Sequence, residues 1–509
     1  MTGVLIRDCS IGGSGSRSVY CEGGRIVKIG DAGMTFPAGA EVIEANGGSL
    51  YPGFVDSHCH PFEYGWLKRS VDLRGVTNIT GVRLRVMAGV QRTNPGEWVS
   101  GMGWDQEAFP NRSMPGSADI DDLSPENPVV LSRVCGHIGL LNGKAIETLG
   151  LSGRTGEGYD RDEKGALTGI VRESALDEVF EKLPKSAERS AADLQSVEAE
   201  AARLGLTTLH CIVSPGGYRE ELDALASLRA SGSLSLVYRV YVPPEALVYM
   251  GETGVGKKLM GLRLRVNGVK IYADGSLGAR TAALREPYSD DPKNTGILRY
   301  SDEALSDLVD KVDSMGMQVI VHAIGDRAVE QAAAALGRVA GADNPRRHRI
   351  EHASLLPKDL RSKMLRHGIR AAVQPLFITS DSWAVDRLGE ERARDLYPLK
   401  TMLAEGVVAS GSSDSPVESM SPILGIWAAT TRGGANPEEA LTLEEAISLY
   451  TVNGRSNGLD QAGGVAEGST ANLTLLDTET TGAHPALFRK AGVLATLVEG
   501  VAVHSYEMH

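Results

Sequence analysis

The segment LYPGFVDSHCH, residues 50–60, carries the pattern on which the fold prediction depends. An apolar run ends in DSHCH, and on a strand His58 and His60 lie on one face because side chains alternate with a period of two. Together with 50–57, the strand-like runs are 206–213, 234–242, 264–273, 317–323, 347–353, 369–376 and 407–412. Helix-like stretches separate most of these apolar runs, which predicts a parallel sheet. Eight such units predict a (β/α)8 TIM barrel of the α/β class.

The two ends of the chain share a different pattern. Residues 1–50 and 455–509 contain short strand-like runs separated by glycine turns, which indicates a small β-sandwich domain formed by both termini. Residues 51–454 are then the barrel domain. Within it, residues 61–200 contain four prolines between 110 and 128 and a turn-rich stretch at 153–169, which do not fit one βα unit. We therefore predict a large insertion after barrel strand 1 that lies over the barrel mouth.

Composition restricts the class of protein. The 509 residues include 52 Lys and Arg against 65 Asp and Glu, a net charge of −13, so nothing supplies the basic face of a nucleic-acid binder. No apolar run approaches the roughly 18 residues of a membrane span, and the opening MTGVLIRDCSIGG lacks signal-peptide features. The five cysteines are odd in number and form no CxxC, which predicts reduced thiols and a cytoplasmic protein. The expected partner is a small-molecule substrate. The sequence does not decide whether the protein forms a homo-oligomer.

Potential metal ligands follow the ends of several predicted barrel strands. Lys270 lies on strand four, His322 ends strand five, His352 ends strand six and Asp414 follows strand eight. The C-terminal ends of barrel strands converge on one mouth, where barrel enzymes have their active sites. An HxH pair alone also fits two hydrogen-bonded polar residues at a strand end. Combined with these groups, it predicts a divalent metal site that best suits Zn²⁺, with Mn²⁺, Fe²⁺ or Co²⁺ as alternatives.

The order HxH, Lys, His, His, Asp on eight strands resembles the metal-dependent amidohydrolase superfamily. The surrounding motifs are similar to its amidohydrolase family 3 branch, which includes N-substituted formamide deformylase. These motifs are PGFVDSHCH, GWDQEAF, GHIGLLNGKAIETLG, VKIYADGSLGARTA, HAIGDRAV, RIEHASLL, LGEERARDLYPL and GSSDSPVESMSP. The resemblance covers essentially the whole chain. It implies a barrel that bears a β-sandwich from both termini and an insertion after strand one, in agreement with the strand pattern.

The resemblance also implies one or two metal ions bridged by an N6-carboxylated lysine. A free lysine is protonated near neutral pH and is no ligand, whereas its carbamate offers two oxygens that bridge two cations. A cation at Lys270 that pairs with Asp274 or polarises a substrate is the alternative. The implied ligands are His58, His60 and Asp414 for one metal, His322 and His352 for the second, and Lys270 between them.

Four further residues are candidates for substrate binding. His137 lies in the insertion and is expected to reach over the mouth, while Trp104 and Asp105 are expected in the pocket wall. Arg280 follows strand four and is expected to hold a substrate oxygen. Loop packing or a solvated salt bridge is the alternative for each. His210 ends strand two but matches no ligand position of the family, so we predict a hydrogen-bonded core residue.

Together with these residues, the resemblance implies a metal-dependent hydrolase that cleaves a non-peptide C–N bond, of the amide or N-formyl type, in a small molecule. In this scheme the metal lowers the pKa of bound water from about 15.7 towards 7. The hydroxide attacks the carbonyl, and Asp414 is the catalytic proton shuttle from water to the leaving amine. Hydrolysis or deamination of another bond and a non-catalytic regulatory role are the alternatives. The lysine argues against mononuclear deamination, and the complete ligand set argues against a degenerate site.

Overall fold

The computed structural model describes residues 3–31, 33–134, 137–156, 158–341, 343–461, 463–480 and 482–506. The chain divides into two compact units, one of residues 1–62 with 194–509 and one of Glu63–Asp193. Among the described helices, none has the length and apolar character needed to cross a bilayer. The cysteines that the structure describes are buried free thiols: Cys9, Cys21, Cys59 and Cys211.

The strands are β1 (Val4–Ser10), β2 (Ser16–Glu22), β3 (Arg25–Asp31), β4 (Glu41–Glu44), β5 (Leu50–Pro52), β6 (Phe54–Cys59), β7 (Val71–Asp72), β8 (Val99–Trp104), β9 (Val129–Arg133), β10 (Ile138–Leu141), β11 (Tyr159–Arg161), β12 (Leu167–Arg172), β13 (Leu206–Ile212), β14 (Val237–Val242), β15 (Leu264–Tyr272), β16 (Gln318–Ala323), β17 (Arg349–His352), β18 (Arg370–Val373), β19 (Ala409–Gly411), β20 (Leu473–Leu476), β21 (Val493–Val498) and β22 (Val501–Ser505).

The α-helices are α1 (Pro61–Arg69), α2 (Ile79–Val90), α3 (Gly143–Thr148), α4 (Ser174–Lys182), α5 (Ala187–Arg203), α6 (Tyr218–Ser231), α7 (Ala246–Thr253), α8 (Val255–Lys258), α9 (Asp302–Ser314), α10 (Asp326–Ala340), α11 (Lys358–Arg366), α12 (Phe377–Ser380), α13 (Ala384–Ala393), α14 (Leu399–Ala404), α15 (Pro422–Thr431), α16 (Leu443–Tyr450), α17 (Val452–Asn457) and α18 (Pro485–Phe488).

The core of the larger unit is a parallel sheet of eight strands in the order β6, β13, β14, β15, β16, β17, β18 and β19. Backbone hydrogen bonds join the ends of the first and last strands, since His60 N–H donates to Ser415 O and Asp414 N–H donates to His58 O, both at 2.8 Å. The predicted α/β class and (β/α)8 barrel are therefore confirmed. Helix α10, for example, packs on β16 and β17 through a buried stripe that includes Val329 and Leu336.

The segment 50–57 is not one strand, which corrects the sequence-based assignment. Leu50–Pro52 is β5 and pairs with β20 of the terminal sheet, whereas Phe54–Cys59 is β6 of the barrel. Gly53 separates them, because a Cβ at this position would lie 2.3 Å from the Thr207 side chain. Only glycine allows this close approach of the backbone to the neighbouring strand.

Two four-stranded sheets contain the ends of the chain. Their strand orders are β3-β2-β1-β4 and β22-β21-β20-β5, so each sheet is built mainly from one terminus and β5 belongs to the C-terminal sheet. One buried cluster joins them and includes Ile6, Val19 and Ile26 from the first sheet with Leu473 and Leu497 from the second. The predicted sandwich of both termini is therefore present.

The smaller unit contains a mixed sheet in the order β11-β12-β10-β9-β8-β7. One apolar cluster on this sheet includes Val86, Trp104 and Leu131, and another includes Leu141 and Val171. The unit is shorter than the predicted insertion 61–200, because Leu194 and the residues after it in α5 belong to the larger unit. The proposed location of this insertion over the barrel mouth stays a prediction.

Candidate metal centre

Three of the predicted ligands converge at the C-terminal ends of the first and last barrel strands. His58 lies on β6, His60 follows it, and Asp414 follows β19; one donor atom from each lies within 4.8 Å of the others. Asp414 Oδ1 is 3.3 Å from His58 Nε2 and 3.2 Å from His60 Nε2. Two imidazole nitrogens and a carboxylate oxygen are the donor types of a catalytic zinc-type site, which leaves coordination positions for other groups.

Lys270, on β15, adds an amine to this cluster. Its side chain is almost fully buried, at 1% exposure, and its Nζ lies 3.1 Å from His58 Nε2. Burial lowers the pKa of Lys270 to about 8. The alternative pairing with Asp274 is not found among the described residues. Instead, the Asp274 carboxylate accepts backbone N–H groups from the loops after β15 and β16.

His322 and His352 lie next to the first cluster. Their ring centroids are 4.4 Å apart, and the His352 centroid is 5.0 Å from that of His58. His322 Nε2 lies 2.9 Å from the Gly275 carbonyl oxygen, which accepts a hydrogen bond from the N–H, so Nδ1 is the nitrogen with a lone pair for a metal. His352 Nδ1 lies 2.9 Å from Gln374 Oε1, which leaves Nε2. The structure thus brings together all six predicted ligands.

Charge and backbone conformation both indicate a preorganised site. Burial raises the pKa of Asp414, but the adjacent imidazoles of His58 and His60 outweigh it and lower this pKa well below the usual range. The carboxylate is therefore ionised. Asp414, His352 and Ala353 have φ values of 56°, 70° and 46°. Left-handed conformations of such residues cost about 1–3 kcal/mol each and cluster at functional sites.

A buried ion pair that was not predicted from the sequence contacts the ligand His58. Glu351 contacts His58 Nδ1 through one carboxylate oxygen and accepts a 2.5 Å hydrogen bond from Arg349 Nε through the other. Burial opposes the charge of Glu351, but Arg349 and His58 outweigh it and lower the pKa of this carboxyl. Two charges at i and i+2 on an otherwise apolar strand are a signal for such a pair, because unpaired charges are almost never fully buried.

Asp56 is a second positioning residue that the sequence analysis did not single out. Its carboxylate accepts hydrogen bonds from the Ser413 hydroxyl at 2.5 Å and the Ser413 N–H at 3.0 Å, and from His58 N–H at 3.2 Å. Burial raises the pKa of Asp56 to about 7, although these hydrogen bonds oppose the rise. Asp56 therefore ties the backbone of His58 to the loop that presents Asp414.

His210 lies on β13, in the barrel interior. It is fully buried, and its Nδ1 lies 3.2 Å from Arg349 Nη1, whereas its Nε2 has no hydrogen-bond partner among the residues that the structure describes. Burial lowers the pKa of His210 well below its ordinary value, so the ring is neutral. The prediction of a core histidine agrees with this position, but only one of its two nitrogens is hydrogen-bonded.

The structure also locates the predicted substrate-binding residues. In the smaller unit, Trp104 has no exposed surface and its indole N–H donates to Leu131 O at 2.9 Å, so it is a core residue and not a pocket wall. Asp105 accepts a 2.6 Å hydrogen bond from Arg133. His137 is exposed and lies 3.1 Å from Glu173. The substrate contacts proposed for Asp105 and His137 stay predictions.

Arg280 lies in the larger unit, in the loop after β15. It forms a two-bond ion pair with Asp290, with distances of 3.1 and 2.9 Å. This arrangement is the salt bridge that the sequence analysis named as the alternative. A role of Arg280 in holding a substrate oxygen stays a prediction, and it would require the guanidinium to leave or share this partner.

The fold and site define a (β/α)8 barrel with a candidate centre for a divalent metal at the ends of its strands. The amidohydrolase family matches residues 41–504, and the chain belongs to this family. The chain is 31% identical over 492 residues to a protein of Bacillus subtilis (strain 168) named as the amidohydrolase YtcJ, with 91% of this chain and 90% of the relative covered. The resemblance found in the sequence is therefore confirmed.

Two other comparisons cover nearly the whole chain. The N-substituted formamide deformylase of Arthrobacter pascens is 25% identical over 532 residues, which cover 97% of this chain and 96% of that enzyme. The crystal structure of an uncharacterised metal-dependent hydrolase from Pyrococcus furiosus has a TM-score of 0.82 and 32% identity, and covers 94% of this chain and 100% of its own. These similarities agree with the donor set of the barrel mouth.

Proposed function

We propose that this protein hydrolyses an amide or N-formyl C–N bond of a small molecule and requires a divalent metal. The observation that carries the proposal is the convergence of His58, His60 and Asp414, with Lys270 3.1 Å from His58. The similarity to N-substituted formamide deformylase supports the bond type.

The donor groups of the site fit a pair of borderline divalent cations, for which we propose Zn²⁺. His58, His60 and Asp414 would hold one cation. The other would be held by the ring nitrogens of His322 and His352 that have no hydrogen-bond partner in the described part of the chain. We propose that Lys270 reacts with CO₂, forming an N–C bond and releasing a proton, so that its carbamate would offer two oxygens as metal ligands. A bound metal supplies Lewis acidity and lowers the pKa of water to about 7.

Asp414 is proposed to move the proton that the reaction requires. Hydrolysis adds water oxygen to the carbonyl carbon, breaks the C–N bond and transfers a proton from water to nitrogen. An amide anion is a very poor leaving group, so the nitrogen needs this proton as the bond breaks. The Asp414 side chain is 13% exposed, so its carboxylate can contact water at the mouth, accept a proton from it and return the proton to the amine.

The test is hydrolysis of a panel of N-formyl and N-acyl amines, with release of the free amine as the measured quantity. We expect turnover of at least one class, loss of turnover after dialysis against a chelator, and recovery when Zn²⁺ is added back. Esters with the same substituents are the matched control for the bond type. Turnover that survives complete metal removal would contradict the proposal, as would a metal-loaded chain that cleaves none of the amides.

A further inference from the structure

The buried pair of Arg349 and Glu351 has a direct connection to the metal centre. One carboxylate oxygen of Glu351 contacts His58 Nδ1, and the other accepts the hydrogen bond from Arg349 Nε. The side chains of all three residues have no exposed surface. A carboxylate paired with a guanidinium acts only as a hydrogen-bond acceptor, so the His58 proton lies on Nδ1.

This arrangement determines which nitrogen of His58 is available. In the neutral ring, a proton on Nδ1 leaves the lone pair on Nε2, the atom that faces Asp414 Oδ1 at 3.3 Å and Lys270 Nζ at 3.1 Å. In the other tautomer, a proton on Nε2 would block coordination. The hydrogen bond at Nδ1 also fixes the plane of the ring, as carboxylates commonly do for metal-binding histidines.

Arg349 holds Glu351 through contacts on several sides. Its Nη2 donates to Ser57 O at 2.9 Å, directly before His58. Its Nη1 lies 3.2 Å from the Tyr241 hydroxyl and from the Asn457 carbonyl oxygen. These partners lie on β6, β14 and α17, so Glu351 is fixed relative to both the backbone and the ring of His58.

We propose that Glu351, held by Arg349, is a positioning residue that fixes the tautomer and ring orientation of His58 and thereby sets the metal affinity of the site. The proposal goes beyond the reaction itself, but it rests on the proposed function in one respect, namely that the site binds a divalent metal. It predicts that metal affinity depends on the acceptor at Nδ1 and not only on the stability of the fold.

The experiment compares Zn²⁺ affinity and thermal stability in full-length variants. Zn²⁺ is titrated in competition with a chromophoric chelator, and the midpoint of thermal unfolding is measured without metal. The variants are Glu351→Gln, which leaves the charge of Arg349 unpaired, and the double variant Arg349→Met with Glu351→Gln, which removes both charges. The matched control is Asp313→Asn, because Asp313 pairs with His348 Nε2 at 3.0 Å and with Arg346 at 2.7 Å, outside the metal centre.

We expect Glu351→Gln to lower both stability and Zn²⁺ affinity, the latter by about 10–100-fold. In the double variant, stability recovers because no unpaired charge remains buried, whereas affinity stays low because a neutral amide is a weaker acceptor. Asp313→Asn should lower stability without a change in affinity.

The proposal is wrong if the double variant recovers Zn²⁺ affinity together with stability, or if Glu351→Gln binds Zn²⁺ like the wild type. If Glu351→Gln fails to fold, the double variant decides the question. A wild-type chain that binds no Zn²⁺ would instead contradict the proposed function.

Discussion

The backbone N–H of Asp414 donates to the carbonyl oxygen of His58 at 2.8 Å. This bond joins the loop after the last barrel strand to the first strand, and it places the carboxylate of one residue 3.3 Å from the imidazole of the other. The same contact that closes the barrel therefore assembles the metal centre. Residues far apart in the chain acquire their mutual geometry only when the barrel closes.

The substitution Asp414→Asn tests the proton transfer. Asparagine has nearly the same shape and leaves an oxygen beside His58 and His60, so we expect the fold and most of the bound metal to remain. Asparagine accepts no proton at neutral pH, so kcat should fall by at least about 10²–10⁴-fold, with little change in KM. Thermal midpoint, metal content and kcat are measured on one preparation. A stable, metal-loaded variant with near-normal kcat would remove Asp414 from the mechanism.

The substitution Lys270→Ala tests the bridging ligand. We expect metal content to fall and turnover to be lost, because the carbamate oxygens are absent. Added bicarbonate or a short carboxylic acid should partly restore both, since a free carboxylate supplies similar oxygens. Metal content and amine release are measured with and without the additive. Normal metal content and activity in Lys270→Ala would show that the lysine is not a ligand.

Trp104 provides a test of the smaller unit. Because its side chain is fully buried, Trp104→Ala should lower the free energy of unfolding of this unit by about 3–5 kcal/mol. The control Leu84→Ala, at a position 57% exposed on α2, should change it by no more than about 0.5 kcal/mol. Chemical denaturation followed by tryptophan fluorescence and circular dichroism measures both. An unchanged stability of Trp104→Ala combined with a large rise in KM would return Trp104 to the substrate pocket.

Gly268 tests the close packing of β15 and β16 beside Lys270. A Cβ at this position would lie 1.9 Å from the backbone oxygen of Gln318, so Gly268→Ala must displace a strand. We expect a loss of about 3 kcal/mol or more in unfolding free energy. In contrast, Gly251 lies in α7, and a Cβ there would meet no described atom within 4 Å, so Gly251→Ala should stabilise by up to about 1 kcal/mol. Equal effects of the two substitutions would contradict this packing.

The sequence predicts the barrel well because its strands are apolar runs and its ligands are polar groups at their ends. His58, His322 and Asp414 were identifiable because the C-terminal ends of parallel strands meet at one mouth. The contact of Glu351 with His58 could not be predicted from the sequence, because β17 and β6 are not neighbours in the sheet and the contact crosses the barrel interior. Strand periodicity gives the face of a residue but not its partner across a barrel.

Trp104 shows a second limit of sequence reasoning. The sequence pattern of an aromatic residue beside an acidic one is compatible with both a pocket wall and a hydrophobic core. The packing of Trp104 against apolar residues of β9 and α2 shows that it lies in the core. The division at Gly53 is a third case. The run 50–57 is continuously strand-like, but the backbone at Gly53 passes from the terminal sheet to the barrel because Thr207 leaves no room for a side chain.

Metal content is the direct test of a divalent metal centre at His58, His60 and Asp414. Elemental mass spectrometry on the purified full chain should find about one or two equivalents of a divalent transition metal. His60→Asn should lose most of it, whereas the control His367→Asn, at the C-terminal end of α11, should retain the wild-type amount. A wild-type chain without stoichiometric metal after growth and assay in Zn²⁺, or a His60→Asn variant with an unchanged metal content, would contradict the account.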